Sequence, residues 1–387
     1  MNCKSVTCLY VMPDFVKHYK RMGQRDGMKF YNPENIFSKV VIVSLSDSNY
    51  INTVEGMTII NIDVKNSNSI LDYAKHMVGL NNRIIANIIA QLKVTDVGHV
   101  DVVIQRFGSP LYHGLYAMIL SKKLNTKMVS TVQSLYSKVK PSSSIKNKIL
   151  NKAERFVERE VYKSSDKIIL VSKFVSDEVE NNREKSVVIP NKINDDLIGD
   201  STEENFILKT DKYFLSVGRL IEQKNYERML NAYTLYKRSG GVLKYIIVGD
   251  GIKKESLNTI IENNGLKDSV IIYDIYLDFS MLKILFRDAS ALFFCSNIEG
   301  QGRVVYESLL HGCPVICSEY GPMKEMVVHK KTGYVVNHKD LTQMKSALFF
   351  SEGDMFKKDD CRVDGSRYLT SFVNKQEADF YAKLLNL

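Results

Sequence analysis

The chain has 387 residues, of which 44 % are hydrophobic and 25 % are charged, a balance typical of globular proteins that excludes a disordered or collagen-like chain. No apolar run approaches the roughly 20 residues of a membrane-spanning helix, and the N-terminal MNCKSVTCLYVMP does not have the pattern of a secretory signal. Six cysteines are too few for a disulfide framework, so we expect reduced thiols and a cytoplasmic protein.

Positive charge is concentrated in one part of the chain. The 53 Lys and Arg residues exceed the 44 Asp and Glu residues, which gives a net charge of +9. Residues 122–192 alone hold sixteen basic and eight acidic side chains. Such a surplus indicates an anionic partner, either nucleic acid, an acidic membrane face or a phosphorylated substrate. A solvated, solubilising surface explains it equally well, so charge alone leaves the question open.

The first half alternates strand-like and helix-like segments. Short β-branched runs predict strands at Ser5–Val11, Lys39–Ser44, Met57–Asp63, Asp101–Gln105 and Lys127–Thr131. Longer segments between them have helical spacing, notably Ile70–Leu92 and Leu111–Lys123. This alternation predicts an α/β domain over residues 1–193, with a parallel sheet covered on both faces.

The acid-rich segment NDDLIGDSTEE opens a predicted linker, residues 194–206. After it the alternation resumes and predicts a second α/β domain over residues 207–370. Its elements are strands Tyr213–Ser216, Lys244–Val248, Ser269–Tyr273, Ala291–Cys295 and Pro314–Cys317, and helices Tyr226–Lys237, Ile252–Asn263, Phe279–Asp288 and Val304–Leu310. Two doubly wound, Rossmann-like sheets bind ligands at the carboxyl ends of their strands, so we expect the site in a cleft between the domains.

Glycines and cations follow the first strands of the second domain. Gly218 and Arg219 end the first strand, and Lys224 precedes the next helix. Glycine lets the backbone approach a ligand, two cations neutralise phosphate oxygens and a helix start offers free N–H groups, so the pattern favours a diphosphate site over a solvated loop. Gly249 ends the next strand. A glycine there can be required either by a tight turn or by a nucleotide that lies close to the backbone, and the sequence does not distinguish the two.

The segment SNIEGQGRVVYE carries two acids around a glycine-opened helix. Glu299 lies in the loop and Glu307 about one turn inside the helix, so both can reach one ligand. Carboxylates accept hydrogen bonds from paired sugar hydroxyls, and the helix start can receive a phosphate. As an isolated pair, the acids are better explained by the helix dipole and a surface salt bridge.

The combination of motifs resembles glycosyltransferase family 4, a family of retaining enzymes with the GT-B fold. The matching motifs are VGRL with QKN, VGDG, the Glu-x7-Glu pair with its glycines, HGCPVI and GPMKEMV, over about residues 212–336. The first half matches more loosely, through DVVIQRFGSP, AERFVEREVY and VVIPNKIN. The closing FVNKQEADFYAKLL resembles the C-terminal helix that crosses back to the first domain, here residues 371–387.

The resemblance implies roles for individual residues. Arg219 and Lys224 would hold the diphosphate of a nucleotide-sugar donor. Glu299 would contact the sugar hydroxyls and Glu307 the ribose hydroxyls. The remaining donor-binding positions would be Gly218, Gly249, Gly300, Gln301, Gly302, Arg303 and Val304. Arg106, His113 and Gln133 are candidates on the acceptor side.

Some positions depart from the family pattern. Gln133 stands where relatives often have His, and Lys192 follows Pro-Asn where Gly is usual. Arg303 occupies a position that is often apolar. Two interpretations are open: Arg303 contacts a phosphate or the acceptor, or it is a solvated residue at the start of a helix. His113 could face the cleft or have a purely structural role.

We therefore predict a cytoplasmic glycosyltransferase that moves a sugar, with retention, from a nucleotide-diphosphate donor to a saccharide or lipid-linked acceptor in bacterial surface polysaccharide synthesis. No metal or other cofactor is expected, because the sequence has no Asp-x-Asp motif or His/Cys cluster with ligand spacing. The basic first domain suits peripheral contact with the anionic inner face of the plasma membrane. A sugar-nucleotide epimerase, a scaffold and a nucleic-acid-binding protein are the alternatives, although no nucleic-acid module is recognisable and we expect no nucleic-acid partner.

Overall fold

The architecture was analysed in a computed structural model. It describes residues 5–13, 15, 27–64, 80–95, 97–106, 112–133, 145–179, 184–193, 195, 198, 212–274, 277, 279–353 and 355–387.

The chain divides into two compact units. Unit 1 comprises Met1–Asn194 together with Val373–Leu387, and unit 2 comprises Asp195–Phe372. Most of the predicted linker, 194–206, lies outside the described residues. In the part of the chain that is described, no helix has both the length and the apolar character needed to cross a membrane.

Unit 1 is built on an eight-stranded sheet in the order β3-β4-β2-β1-β5-β6-β7-β8. Its strands are β1 Thr7–Pro13, β2 Lys39–Ser46, β3 Tyr50–Val54, β4 Met57–Asp63, β5 Val102–Arg106, β6 Lys127–Val132, β7 Lys167–Leu170 and β8 Ser186–Val188. All neighbours pair in parallel except β3, which is antiparallel to β4. The central strands are almost entirely buried because helices cover the sheet.

The helices of unit 1 bury apolar stripes against that sheet. They are α1 Met28–Tyr31, α2 Leu80–Val94, α3 Tyr112–Leu124, α4 Ile145–Ser164 and α5 Lys173–Glu178. One apolar cluster includes Leu9, Val43, Ile88, Leu120 and Val161, contributed by strands β1 and β2 and by helices α2, α3 and α4. Spacing of i, i+3 and i+4 along each helix produces these stripes.

Unit 2 has a six-stranded, fully parallel sheet in the order β11-β10-β9-β12-β13-β14. The strands are β9 Tyr213–Val217, β10 Lys244–Val248, β11 Val270–Tyr273, β12 Ala291–Phe294, β13 Val315–Ser318 and β14 Gly333–Val336. The order runs outward in one direction from β9 and then in the other from β12. The connections therefore diverge between β9 and β12, which is where doubly wound sheets bind ligands.

The helices of unit 2 are α6 Tyr226–Arg238, α7 Lys254–Asn263, α8 Phe279–Asp288, α9 Arg303–Leu310, α10 Leu341–Phe350 and α11 Lys358–Ser366. The final helix, α12 Thr370–Leu385, begins in unit 2 and continues into unit 1. Helices α6 and α10 pack on each other, as do α9 and α11. The buried faces of α6 and α10 join the strands in a core that includes Phe214, Tyr236, Ile247, Phe293 and Leu348.

The observed elements confirm the predicted α/β class and most strand positions. Strand β3 was not predicted because Tyr50 and Ile51 are exposed and the strand lies at the edge of the sheet, where it lacks the buried apolar run of its neighbours. The predicted helix Ile70–Leu92 is observed from Leu80, and its first ten positions lie outside the described residues.

Within unit 1, α12 is fastened by a buried ion pair. Lys192 Nζ donates to Glu377 Oε2 at 2.6 Å and also to Asn374 Oδ1, and the side chains of Lys192 and Glu377 are 1 % and 7 % exposed. Asn374 in turn donates to the carbonyl of Lys29 at 3.1 Å. The unusual Lys192 is therefore a structural partner of the last helix.

Candidate active site

The loops that follow β9 and β12 meet at the point where the connections of the unit 2 sheet diverge. Lys224 Nζ donates to Glu299 Oε1 at 2.5 Å, and both side chains are largely shielded from solvent. The ammonium also lies 4.8 Å from the centre of the Phe294 ring, in a cation–π contact. A predicted phosphate-binding cation and a predicted sugar-binding carboxylate are thus brought into direct contact.

Two further hydrogen bonds join the same loops. Asn225 donates through Nδ2 to the carbonyl of Cys295 at 3.0 Å, and Asn297 donates through its backbone N–H to the carbonyl of Gln223 at 2.9 Å. Asn225 has a φ of 60°, a left-handed conformation that Asn tolerates better than most residues. Sequence reasoning placed Asn225 only at a helix start and did not find this connection.

Gly218 and Gly249 let the ends of β9 and β10 lie unusually close. Gly249 has a φ of 152°, and a Cβ at this position would stand 1.9 Å from the carbonyl oxygen of Gly218. That oxygen accepts a hydrogen bond from the Tyr226 hydroxyl at 3.1 Å. Burial, with a smaller effect from the charge of Glu299, raises the pKa of Tyr226, so the hydroxyl remains a donor at neutral pH.

Arg219 follows β9 by two residues and is exposed to solvent. Among the described residues no ion-pair partner engages its guanidinium, in contrast to Lys224 on the same loop. An exposed guanidinium beside a backbone that glycine keeps open can reach a phosphate bidentately. Its role on a diphosphate stays a prediction.

The glycine-rich segment before α9 forms the other side of the candidate site. Gly300, Gln301 and Gly302 are buried, and Gly302 precedes the helix with a φ of 80° and no capping side chain. Because Gly302 has no side chain to cap the helix, the first turn of α9, which includes Arg303 and Val304, is a suitable place for an anion.

Glu307 is buried one turn into α9, and Arg303 approaches it. Their Nε and Oε1 atoms are 3.9 Å apart, with the two side chains 29 % and 11 % exposed. A cation at the start of a helix opposes the helix dipole, so Arg303 is unfavourable there unless Glu307 or an anionic ligand compensates. The structure therefore pairs the two predicted donor-binding residues Arg303 and Glu307.

The acceptor-side candidates lie in unit 1 and are mostly buried. Arg106 has its guanidinium carbon 4.0 Å from the centre of the Phe30 ring. Burial is the largest single effect on its pKa and lowers it, but the charges of Glu377 and of nearby tyrosines together outweigh burial and raise the pKa. His113 is fully buried, with Nε2 3.0 Å from Nε2 of Gln105. These surroundings favour structural roles for both residues. Gln133 is half-buried directly after β6 and remains a prediction.

The described residues contain no group of three or more His, Cys, Asp and Glu side chains arranged to hold a metal ion. The four cysteines of unit 2, Cys295, Cys313, Cys317 and Cys361, are free and buried. Burial raises the pKa of Cys313 and of Cys361 to about 12, which keeps both thiols protonated.

Comparison with known families matches both halves of the chain. Residues 199–349 match the family described as "Glycosyl transferases group 1", and residues 41–197 match the one described as "Glycosyltransferase Family 4".

Curated relatives match shorter segments. An N-acetylgalactosamine-N,N'-diacetylbacillosaminyl-diphospho-undecaprenol 4-alpha-N-acetylgalactosaminyltransferase of Campylobacter jejuni is 31 % identical over 46 % of this chain and 47 % of its own length. The amylovoran biosynthesis glycosyltransferase AmsK of Erwinia amylovora is 28 % identical over 36 % of each chain. The matches thus span half or less of these relatives.

Solved structures agree over nearly the whole chain. Sucrose-phosphate synthase from Thermosynechococcus elongatus superposes with a TM-score of 0.78 at 14 % identity, covering 99 % of this chain and 100 % of that one. HepE of Anabaena, in complex with UDP and glucose, gives 0.74 at 14 % identity over 98 % and 100 %. The lipopolysaccharide outer core galactosyltransferase WaaB gives 0.68 at 17 % identity over 98 % and 99 %. At such identities the likeness shows the fold, which is GT-B.

Proposed function

Because the chain belongs to the GT-B glycosyltransferases of family 4, with a group 1 domain in its second half, we propose that it transfers a hexose-type sugar from a nucleoside-diphosphate sugar to a saccharide acceptor, with retention at the anomeric carbon. The observation that carries the donor assignment is the contact between Lys224 and Glu299. It brings a cation for the diphosphate and a carboxylate for the sugar to the same end of the unit 2 sheet.

The proposed chemistry requires stabilisation of the leaving group. As the bond from the sugar carbon to the diphosphate oxygen breaks, negative charge grows on the phosphate and the sugar takes on oxocarbenium character. Arg219, Lys224 and the start of α9 would supply positive charge to the diphosphate, and the contact with Glu299 holds Lys224 in place before the reaction. Preorganised charge of this kind is usually the largest contribution to catalysis.

Recognition of the donor is assigned to the two acids. Glu299 would accept hydrogen bonds from sugar hydroxyls while it retains its bond to Lys224, because a carboxylate has several acceptor positions. Glu307 would accept from the ribose hydroxyls, with Arg303 holding its carboxylate from the first turn of the helix. UDP is the first nucleotide to test, since the matched HepE structure contains UDP and glucose.

We propose a lipid-diphosphate-linked saccharide as the acceptor and bacterial surface polysaccharide synthesis, at the inner face of the plasma membrane, as the process. The names of similar proteins support this assignment. They include an undecaprenol-diphosphate-linked substrate, amylovoran biosynthesis and the lipopolysaccharide outer core.

A donor panel tests the proposal. Thermal-shift binding with UDP-, GDP- and dTDP-sugars identifies the base and sugar, because at equal concentration the ligand that binds the folded state most tightly raises the melting temperature most. The preferred donor is then incubated with short saccharide acceptors, and the anomeric configuration of the product is read by NMR. We expect release of nucleoside diphosphate and an axial product from an axial donor. Formation of an epimerised sugar nucleotide without sugar transfer would contradict the proposed transferase. A product with the opposite anomeric configuration to the donor would contradict retention.

A further inference from the structure

The solvent-facing side of helix α4, Ile145–Ser164, has an unusual composition. Its inward side is formed by Asn151, Glu154, Val157, Val161 and Tyr162, all of them buried. Six of the outward positions, two large apolar residues and four cations, are here called the basic-apolar face: Lys148, Ile149, Lys152, Arg155, Phe156 and Arg159. Lys163 is a further exposed cation at the end of the helix.

The six positions fall on one face of the helix. They are separated by one, three, three, one and three residues, which at 3.6 residues per turn places them on a single stripe. All six are exposed, and Ile149 and Phe156 are 56 % and 49 % exposed. Large apolar side chains and cations on the same exposed helix face are the composition of helices that bind a bilayer interface.

Acidic side chains border this face without occupying it. Glu160 is half-buried and its Oε1 lies 3.4 Å from Nε of Arg159. Glu158 is half-buried and accepts a hydrogen bond from the Tyr162 hydroxyl at 3.0 Å. The guanidinium of Arg159 also lies 5.3 Å from the centre of the Phe156 ring, so one cation of this face is in contact with one of its apolar side chains.

We propose that the basic-apolar face docks on the headgroup region of an anionic lipid bilayer. A helix that lies in a bilayer interface presents apolar side chains to the acyl boundary and Lys and Arg to lipid phosphates. Each part of this face fits one of those requirements. A nucleic acid would use the cations and could stack on Phe156, but it offers no apolar environment to Ile149.

The inference deepens the proposed function, since a lipid-linked acceptor lies in such a surface. Binding is nevertheless measured without donor or acceptor, so the two proposals can fail separately. If wild-type protein binds lipid but transfers no sugar, only the proposed function is contradicted. If it transfers sugar to a water-soluble acceptor but ignores lipid, only the docking surface is contradicted.

The experiment is sedimentation of the full chain with vesicles of phosphatidylcholine alone and of phosphatidylcholine mixed with phosphatidylglycerol. We expect binding to the anionic vesicles that weakens as salt rises. The triple variant Lys152→Glu, Arg155→Glu, Arg159→Glu should lower the partition coefficient about fivefold or more for each side chain replaced. The double variant Ile149→Ser, Phe156→Ser should lower it roughly tenfold.

Matched controls separate this face from general charge and hydrophobicity. Lys93→Glu, Lys123→Glu, Lys375→Glu changes the net charge equally at exposed sites off the helix. Val242→Ser, Ile252→Ser removes two apolar side chains that are 72 % and 89 % exposed in unit 2. Both controls should bind vesicles as wild type does.

Several outcomes would overturn the proposal. They are no preference for anionic vesicles, equal losses in the control variants, or binding to single-stranded nucleic acid that needs the cations but not Ile149 and Phe156. Circular dichroism melting checks that each variant folds. If the Glu triple variant does not fold, the milder Gln replacements at the same three positions take its place and should still lower the partition coefficient.

Discussion

Lys224 and Glu299 are 75 positions apart in sequence, yet Nζ of the first lies 2.5 Å from Oε1 of the second. The contact exists because β9 and β12 are neighbours in the unit 2 sheet and both loops leave the same edge. Asn225 holds the loops together through the carbonyl of Cys295. The cation and the carboxylate are thus fixed in place by the sheet order, as preorganised catalysis requires.

The first prediction concerns the cations that would face the diphosphate. Lys224→Ala and Arg219→Ala should each lower kcat by roughly 10²–10³-fold, because each removes charge that stabilises the leaving group. Steady-state release of nucleoside diphosphate measures the effect. Lys237→Ala, at a half-exposed cation near the end of α6, is the control and should leave kcat unchanged. Unchanged turnover in both site variants would remove the phosphate assignment.

The second prediction concerns Glu307, which would bind a part of the donor that does not react. Glu307→Ala should raise the KM for the donor by about tenfold or more with a small change in kcat, because it removes binding that is equal in the ground and transition states. Arg303→Ala should produce a smaller rise in KM if it only holds the Glu307 carboxylate. A large fall in kcat at unchanged KM in Glu307→Ala would argue against the ribose role.

The sequence predicted five of the six strands of unit 2, because parallel central strands are continuous buried apolar runs, such as ALFF in β12, and it missed only the edge strand β14. It also selected Gly218, Lys224, Glu299 and Glu307 as site candidates, since their spacing matches a family pattern, and their roles stay predictions. It did not predict that Asn225 bonds to Cys295, because the order of strands in a sheet is not visible in local periodicity.

The acceptor side was harder to predict for the same reason. In the sequence Arg106 follows a predicted strand and His113 lies near a predicted helix start, so both are acceptor-side candidates. In the structure Arg106 packs on Phe30, and His113 is fully buried beside Gln105. Nor did the sequence indicate that Lys192 pairs with Glu377, a contact that depends on where the last helix packs.

The third prediction concerns the close approach of β9 and β10. Gly249→Ala should cost roughly 2 kcal/mol or more in the free energy of unfolding, because its Cβ would stand 1.9 Å from the Gly218 carbonyl oxygen and its φ is strained for alanine. It should also weaken donor binding, since Gly218 adjoins Arg219. Gly265→Ala is the matched control, with a φ of 67° and nothing within 4 Å of the added Cβ. Its cost should be about 1 kcal/mol. Equal unfolding energies for the two variants would contradict the close-approach argument.

The fourth prediction concerns metal dependence. If Arg219, Lys224 and the start of α9 supply the positive charge on the diphosphate, turnover should be the same before and after treatment with EDTA. Added Mg²⁺ should not raise it. The measurement is the rate of donor consumption at a fixed acceptor concentration. It is repeated at several Mg²⁺ concentrations to test whether the metal raises turnover. A loss of more than about tenfold on chelation, restored by Mg²⁺, would show that a metal does part of the work assigned to these cations.

The last prediction follows from the ion pair that fastens α12. Burial raises the pKa of Glu377, but the charges of Lys192 and Arg106 and the Lys192 hydrogen bond outweigh it and lower the pKa below its ordinary value of 4.5. A carboxyl whose folded pKa is depressed adds stability above its unfolded pKa and loses it as pH falls through the folded value. Wild type should therefore lose stability between pH 7 and pH 3 more steeply than Glu377→Gln. Urea unfolding followed by circular dichroism measures this, since the chain has no tryptophan.

Removing only the cation should be more damaging than removing an exposed acid from the same helix. Lys192→Met leaves a buried carboxylate without its nearest partner, so we expect a loss of about 3–5 kcal/mol at pH 7. Asp379→Asn, at an exposed position of α12, should change the unfolding free energy by less than about 0.5 kcal/mol. If Lys192→Met were as stable as wild type, or if wild type and Glu377→Gln kept parallel pH profiles, the buried pair would not be what holds the last helix against unit 1. Lys192 would then need another explanation for standing where relatives have glycine.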